Sequence, residues 1–487
     1  MKYIVCIFIN MIVISISNHC NAQNKLGSTW IVGDFGYQIN FNTTPPTHDT
    51  IMYNTIFFRG HSCISDSNGQ LLLMSDGLNV YDKTGTYIDG GDSLGSPAYY
   101  NFMHGYNDYA QGSILLPMDS SIYYLVTPSC NDTNLTNVWQ NGGSNKGPDN
   151  LLLYNVIDMK ANAGAGKVIR RMVPALENKE LSKTQMMACK HGNGKDWWVL
   201  KKAGDSNNVY SFLFTQDSVY YKGIQRFNFP FKGYSDVFGQ LKFNTQGTQM
   251  ATTCTQSADL FVADFDRCTG LISNQKIFIS PTIPIGDDVN AGLAYSPNGR
   301  FLYISKLASV FQLDLQDNNM ATAWYQVCGM DTDINYFCSY TSLELAPDNK
   351  IYFGHQDGTC KQMSTIDNPD IKGNGCNFCR KCLRSTSMNG VLGSPPNMPN
   401  YNLSGNGCWP LQNENVKENE NDWSVYPNPA NTKFRIECKN PNSKKELYNS
   451  VGQLIFSTYN NEVDVSRYSK GVYYLKCGRY IRKLVVE

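Results

Sequence analysis

Short polar turns alternate with apolar runs along most of the chain, and helical 3.6-residue stripes are scarce. Six stretches line up: SDSNGQLLLMSDG (65–77), PMDSSIYYLVTPS (117–129), HGNGKDWWVLKKA (191–203), NTQGTQMATTCTQ (244–256), SPNGRFLYISKLA (296–308) and APDNKIYFGHQDG (346–358). Each opens on a turn, usually with Asn, Asp or Gly, and continues into an apolar or β-favouring run. Such turn residues supply the positive φ of a tight hairpin. The runs do not alternate cleanly, which is the pattern of strands covered on both faces. Successive turns lie roughly fifty residues apart, with a wider gap before His191 that is expected to hold a loop around NAGAGKVIRR (162–171). Further strands precede or follow them, as in AGLAY (291–295), TSLEL (341–345) and ADLFVADFD (258–266). Four strands in about fifty residues make one propeller blade, and a blade cannot bury both faces alone. The pattern therefore predicts an all-β fold, a six- to seven-bladed β-propeller over residues 23–410.

The pattern changes at both ends. Lys2 precedes the apolar run Ile4–Ile16, and Cys20 and Ala22 are the small residues ahead of a cut after Ala22. Residues 1–22 thus read as a secretory signal peptide. Cys20 also suggests lipidation, but His19 is too bulky for the small position that precedes a lipidated cysteine. No other stretch is long and apolar enough to span a bilayer. Residues 411–423, LQNENVKENENDW, carry few apolar groups and read as a solvated linker. Beyond it, TKFRIEC, KELYNSVGQLIFS, NEVDVSRY, KGVYYLKCG and YIRKLVVE predict a small C-terminal β-sandwich of about seven strands over 424–487.

Lys+Arg and Asp+Glu balance at 41 each, which removes the electrostatic case for nucleic acid or an anionic membrane as partner. Export changes how the cysteines read. Fourteen lie beyond the leader: twelve from Cys63 to Cys408, then Cys438 and Cys477. In an oxidising compartment such an even set reads as disulfides. Most of the twelve are expected to be oxidised, and Cys438 is expected to pair with Cys477 across the sandwich. The alternative is zinc at CNFCRKC, held by Cys376, Cys379 and Cys382 with Cys360 or Cys408. A zinc ribbon would show two separated C-x-x-C knuckles, and this is one crowded triplet.

Catalytic signatures fail on inspection. SPNGRFLY has the wrong Ser296–Gly299 spacing for the Asp-box of sialidase propellers. There is no G-x-S-x-G and no H-E-x-x-H. AGAGKV (163–168) lacks the first glycine of a phosphate loop, and Val168 replaces its Ser/Thr. DTDINY, from Asp331, begins like a calcium loop but puts Tyr336 at the glycine position and Ser342 at the glutamate position. His48, His61, His104, His191 and His355 are scattered without ligand spacing. Trp197–Trp198 and Tyr123–Tyr124 could stack on sugars, but adjacent aromatics in a strand more often pack between blades. No catalytic, cofactor-binding or metal-ligating residue is assigned, and no cofactor is expected.

Two resemblances add to this reading. AYSPNGRFLYIS (294–305) resembles the recurring hairpin of WD-like propellers related to TolB. WIVGDFGYQINFNTTPP (30–46), GHSCISDSNGQLLLMSDGLNVYDKTG (60–85) and SPPNMPNYNL (394–403) resemble segments of the propellers in secreted proteins of the Bacteroidetes. From the last of these, the strand near Trp30 is expected to pair with C-terminal strands and latch the ring. Residues 424–487 resemble the type A C-terminal sorting domain of the type IX secretion system, through YPNPA, LYNSVGQLI with its Gly452 turn, VDVSRYSKGVYYLK and the terminal KLVV. That resemblance implies the type IX translocon and its sorting peptidase as partners, and a secreted or outer-surface location. It assigns Pro427, Asn428 and Pro429 to the turn that opens the domain and Gly471 to a strand bend. Lys483, Val485 and Val486 fall in a terminal strand read by the export machinery. For the propeller, two functions remain: a module binding a protein, peptide or glycan on one face, or a hydrolase or lyase acting on glycans or peptides. Paired carboxylates in the axial cleft would favour the enzyme; aromatics and amides would favour the binding module.

Overall fold

A computed structural model describes residues 25–487 apart from 35, 52, 54, 141–148, 229–238, 254–258, 282–289, 307–308, 330–339, 356–360, 385–392, 406–407, 409–422, 439–442, 450–453 and 478–479. The leader, DTDINY and nearly all of the linker lie outside the described residues. Where the sequence places a turn Gly or Asn, the backbone is left-handed: φ is 75° at Gly299 and 63° at Asn349. The hairpin at 117–122 has no such residue and turns by another device. There the Asp119 carboxylate accepts from the backbone N–H groups of Ser121 (2.6 Å) and Ile122 (2.7 Å).

These hairpins build seven successive antiparallel sheets. Blade 1 comprises Thr29–Asp34, Tyr37–Asn40, Thr47–Thr50 and the short Ile56–Phe57. Blade 2 has Ser62–Ser65, Leu71–Ser75 and Val80–Asp82. Blades 3 to 7 each hold four strands in chain order, beginning at Ile114–Pro117, Leu181–Lys190, Leu241–Phe243, Asn290–Tyr295 and Tyr340–Leu345. The wider gap before His191 is filled by helix Asp132–Gln140 and by strand Lys167–Glu177, the outer strand of blade 3. NAGAG is therefore only the turn; KVIRR is already sheet.

Side chains and turns stitch each blade to the next. Successive residues on a strand face opposite sides, so the adjacent tryptophans serve two interfaces. Trp197 Nε1 donates to Pro117 O of blade 3 (3.0 Å), and Trp198 Nε1 donates to Arg267 O of blade 5 (2.8 Å). Thr245 Oγ1 reaches Pro297 O across blades 5 and 6, and Tyr303 Oη reaches Pro369 O across blades 6 and 7. The ring closes where Trp30 of blade 1 meets Tyr352 of blade 7 edge-on, 5.6 Å between centroids. One continuous apolar cluster runs from blade 7 through blades 1, 2 and 3 into blade 4. The interfaces 4/5, 5/6 and 6/7 each have a smaller cluster of their own.

The expected latch differs. Strand Thr29–Asp34 pairs with Tyr37–Asn40 and Ile56–Phe57, both N-terminal, and not with C-terminal strands. Blade 1 completes itself locally, which leaves the C-terminal segment free for another task.

The tail forms two sheets. Trp423–Tyr426, Lys433–Cys438 and Glu462–Asp464 make one; Leu454–Thr458, Lys445–Asn449, Gly471–Cys477 and Tyr480–Val486 make the other. Phe434, Ile436, Leu447, Leu475 and Leu484 fill the core between them.

The cysteines depart from expectation. Among the described ones from Cys63 to Cys408, Cys268–Cys408 and Cys379–Cys382 are bonded, whereas Cys63, Cys130, Cys189, Cys328 and Cys376 are free. Cys63, Cys189 and Cys376 sit inside separate apolar clusters and act there as small hydrophobes. Within the triplet, bonding of Cys379 to Cys382 leaves Cys376 alone, and no group of three His, Cys, Asp or Glu suited to a metal occurs among the described residues. The Cys438 side chain lies outside the described residues, so its pairing with Cys477 stays a proposal. Alkylation of the unfolded, unreduced protein should label the five free thiols, and label Cys268, Cys379, Cys382 and Cys408 only after reduction. Labelling of Cys268 or Cys408 before reduction would contradict the pairing.

Candidate functional site

The centre of the ring is occupied by the chain itself. Residues 393–399 are buried without regular secondary structure, and several of their polar groups bond to the inner side of the blades. Ser394 N donates to Phe58 O (2.8 Å) and Asn397 N to His61 O (3.0 Å). The Asn397 amide donates to Ser113 O (3.0 Å) and Met186 O (3.3 Å), touching blades 3 and 4 at once. Two glutamines repeat the device. Gln111 binds both N–H and C=O of Leu241, and Gln240 Oε1 accepts from Leu293 N and Leu343 N, each at 2.9 Å. Farther on, Asn400 donates to Thr245 O (2.8 Å) and Tyr401 Oη to Leu115 O (2.8 Å). SPPNMPNYNL is thus an axial plug bonded to several blades.

Beside the plug lies a cavity of about 230 Å³, walled by Met398–Leu403 and by residues from blades 1 and 4 to 7. Trp30, Phe243 and Tyr401 supply rings; Asn244, Asn349, Asn400 and Asn402 supply amides. Among the described lining residues, Glu344 is the one carboxylate and Lys242 the one cation, and they are bonded to each other. Both are buried, at 7 % and 5 % exposure, which makes them the dominant electrostatic feature of the site. Burial pushes the Glu344 carboxyl above its ordinary value, against the Lys242 ammonium and the Met398 N–H, which pull it down. Lys242 comes from strand Leu241–Phe243 and Glu344 from Tyr340–Leu345. The available signal was one charge inside an otherwise uncharged inner strand, as in TSLEL. Sequence reasoning passed over it because the partners lie 102 residues apart.

A second buried polar group lies away from this cavity. Asp149 is pushed up to about 6 and Lys201 down to about 7, both chiefly by burial. Lys201 Nζ donates to Thr184 O (2.6 Å), so its ammonium bridges the first two strands of blade 4.

In the tail, the structure brings two of the sequence-assigned groups together. The Asn428 side chain donates to Lys483 O (2.7 Å) and accepts from Val485 N (2.8 Å), between Pro427 and Pro429, whose preceding peptide bonds are both cis. Ala430 N donates to Val485 O (2.8 Å), and Val486 is buried in the core. The YPNPA turn is therefore buttoned onto the terminal strand. Lys483 is exposed, and Gly471 is the first residue of its strand, in register with Val486.

Residues 424–487 match the family described as the secretion system C-terminal sorting domain, which supports export through type IX secretion. No curated protein matches the chain. Among solved structures, the chain is similar to a Lactobacillus plantarum protein at 10 % identity, covering 76 % of this chain and 98 % of that one with a TM-score of 0.42. A periplasmic gluconolactonase of Pseudomonas aeruginosa is similar at 11 % identity, 94 % and 99 % coverage and a TM-score of 0.38. The Dos1 propeller is similar at 13 % identity, 66 % and 73 % coverage and a TM-score of 0.36.

Proposed function

We propose that residues 23–410 are a binding module carried to the cell exterior by the sorting domain 424–487, after removal of the leader 1–22, with 411–423 as the linker between them. One observation carries this reading: the axial cavity is lined by rings and amides, and its one described carboxylate is neutralised by a lysine. Glycoside hydrolysis by a carboxylate pair needs a second carboxyl group, which the described lining does not offer. Binding needs less. Lys242 spends one of its three ammonium protons on Glu344, and no other partner for it lies among the described residues. The pair is neutral as a unit, so the cavity favours an uncharged guest that presents an oxygen acceptor. A single sugar ring of a surface or environmental glycan fits that chemistry and the cavity of about 230 Å³.

The test is a glycan array, run beside a peptide library, with the exported protein and with the double variant Lys242→Met, Glu344→Gln. The glutamine keeps an acceptor for Met398 N–H, while the methionine fills the space of the lysine. Glycan binding that falls about tenfold or more in the double variant supports the reading. Binding of peptides alone, or glycan binding unchanged in the double variant, rejects the assigned site.

A further inference from the structure

Where the axial plug leaves the ring, three contacts converge. Arg267 sits in the hairpin turn of blade 5 between strands Asp259–Phe265 and Ile272–Ile279. Its Nη2 donates to Ser404 O (2.7 Å), while its Nε donates to Lys190 O (2.8 Å) on blade 4. Gly194, with φ of 76°, lies so close to Gly405 that a Cβ there would stand 2.9 Å from the Gly405 nitrogen. Cys268, the next residue of the same turn, is bonded to Cys408 across 140 residues of sequence. The turn is itself anchored: Cys268 O is 3.0 Å from His191 Nε2, and Gly192 N donates to Arg267 O (2.9 Å).

We propose that Cys268–Cys408 is a thiol-sensitive latch that holds the axial plug, and with it one wall of the cavity, against a pull from the C-terminal side. The bond lies immediately ahead of the segment read as linker. Tension or cleavage there therefore acts first on Cys408 and not on the hydrogen bonds of Asn397, Asn400 and Tyr401. Those bonds run to blades 3, 4 and 5. A chain end freed at 408 would first lose the Arg267–Ser404 contact and then release them in turn, beginning with Tyr401. Cys268 is half-buried and Cys408 buried, so an attacking thiolate reaches Cys268 Sγ first. In that step a bond forms between the incoming sulfur and Cys268, and Cys408 leaves as a thiolate that takes a proton from water. The second thiol of an external dithiol then displaces Cys268, closing its own disulfide and leaving both cysteines reduced. The neighbouring Cys189 does not compete: burial pushes its thiol up to about 12, so it stays protonated. The latch stands whether or not the cavity takes a sugar.

Hydrogen exchange on the full exported chain tests it. Adding a dithiol, or substituting Cys268→Ser with Cys408→Ser, should speed exchange of the 397–405 amides about tenfold or more while the blade strands keep their protection. A Cys379→Ser, Cys382→Ser variant should behave as wild type before reduction and show the same dithiol response, which excludes the blade 7 disulfide as the cause. Unchanged exchange at 397–405 after reduction overturns the latch. So does a rise spread over all blades, because the bond would then be a staple for the whole ring.

Discussion

Deleting residues 424–487 is expected to leave a folded propeller stranded in the periplasm, with no signal at the cell surface. The tail has a core of its own, made only of residues from 425 onward, so its removal takes nothing from the ring's apolar clusters. Grafting 411–487 onto a periplasmic reporter should carry that reporter outward in a host with type IX secretion. Asn428→Ala is the finer probe. It removes the two hydrogen bonds that button YPNPA to Lys483 and Val485, at a cost of about 1–3 kcal/mol to the tail. Surface display of the full chain should fall in step with loss of tail protection, while the propeller's melting stays fixed. Fractionation of cells carrying the truncation decides the matter. A truncated protein that still reached the surface would remove the sorting assignment, however closely the segment matches that family.

Lys242→Met is expected to destabilise the propeller by about 3–5 kcal/mol at neutral pH, because it strands a carboxylate in a buried site. Burial already holds the Glu344 carboxyl above its unfolded value of 4.5, and loss of the ammonium removes its strongest opposing charge. A carboxyl whose folded pKa lies above its unfolded one gives its full stability below the unfolded pKa and loses it as pH rises through the folded pKa. The deficit of the variant should therefore be smallest near pH ~4 and grow toward pH ~8. Urea midpoints across that range measure it. The double variant with Glu344→Gln should recover most of the loss, to within about 1 kcal/mol of wild type. A deficit that ignores pH, or no recovery in the double variant, would mean that the pair contributes packing and not charge.

The hairpins were legible because their determinants are local. Gly299 and Asn349 mark left-handed turns, and the apolar runs behind them became strands buried on both faces, as FLYISK at 301–306 shows. Seven sheets follow from that repeat, within the range the spacing predicts. The site was not legible in the same way. Asn397, Gln111 and Gln240 matter through bonds to backbone atoms more than a hundred residues away, and no period in the sequence announces such contacts. The Trp30 strand was assigned to the C-terminus by resemblance, but local pairing with 37–40 and 56–57 costs less loop closure. The cysteines misled because compartment sets which thiols can oxidise, whereas strand geometry sets which ones meet. Cys63 and Cys189 lie in different apolar clusters, out of each other's reach.

The division of the apolar core has a consequence for how a guest enters. Blades 7, 1, 2, 3 and 4 share one cluster and should open only with the whole molecule, whereas blades 5 and 6 are held on each side by a separate, smaller cluster. Sub-global opening is cheapest where fewest buried side chains must part, so the ring has a stiff arc and a compliant one. The cavity is flanked by Lys242, Phe243 and Ala294 of the compliant arc. Breathing of blades 5 and 6 would then serve as the doorway to the axis, and the rate at which a ligand arrives would be set by the softness of those two blades.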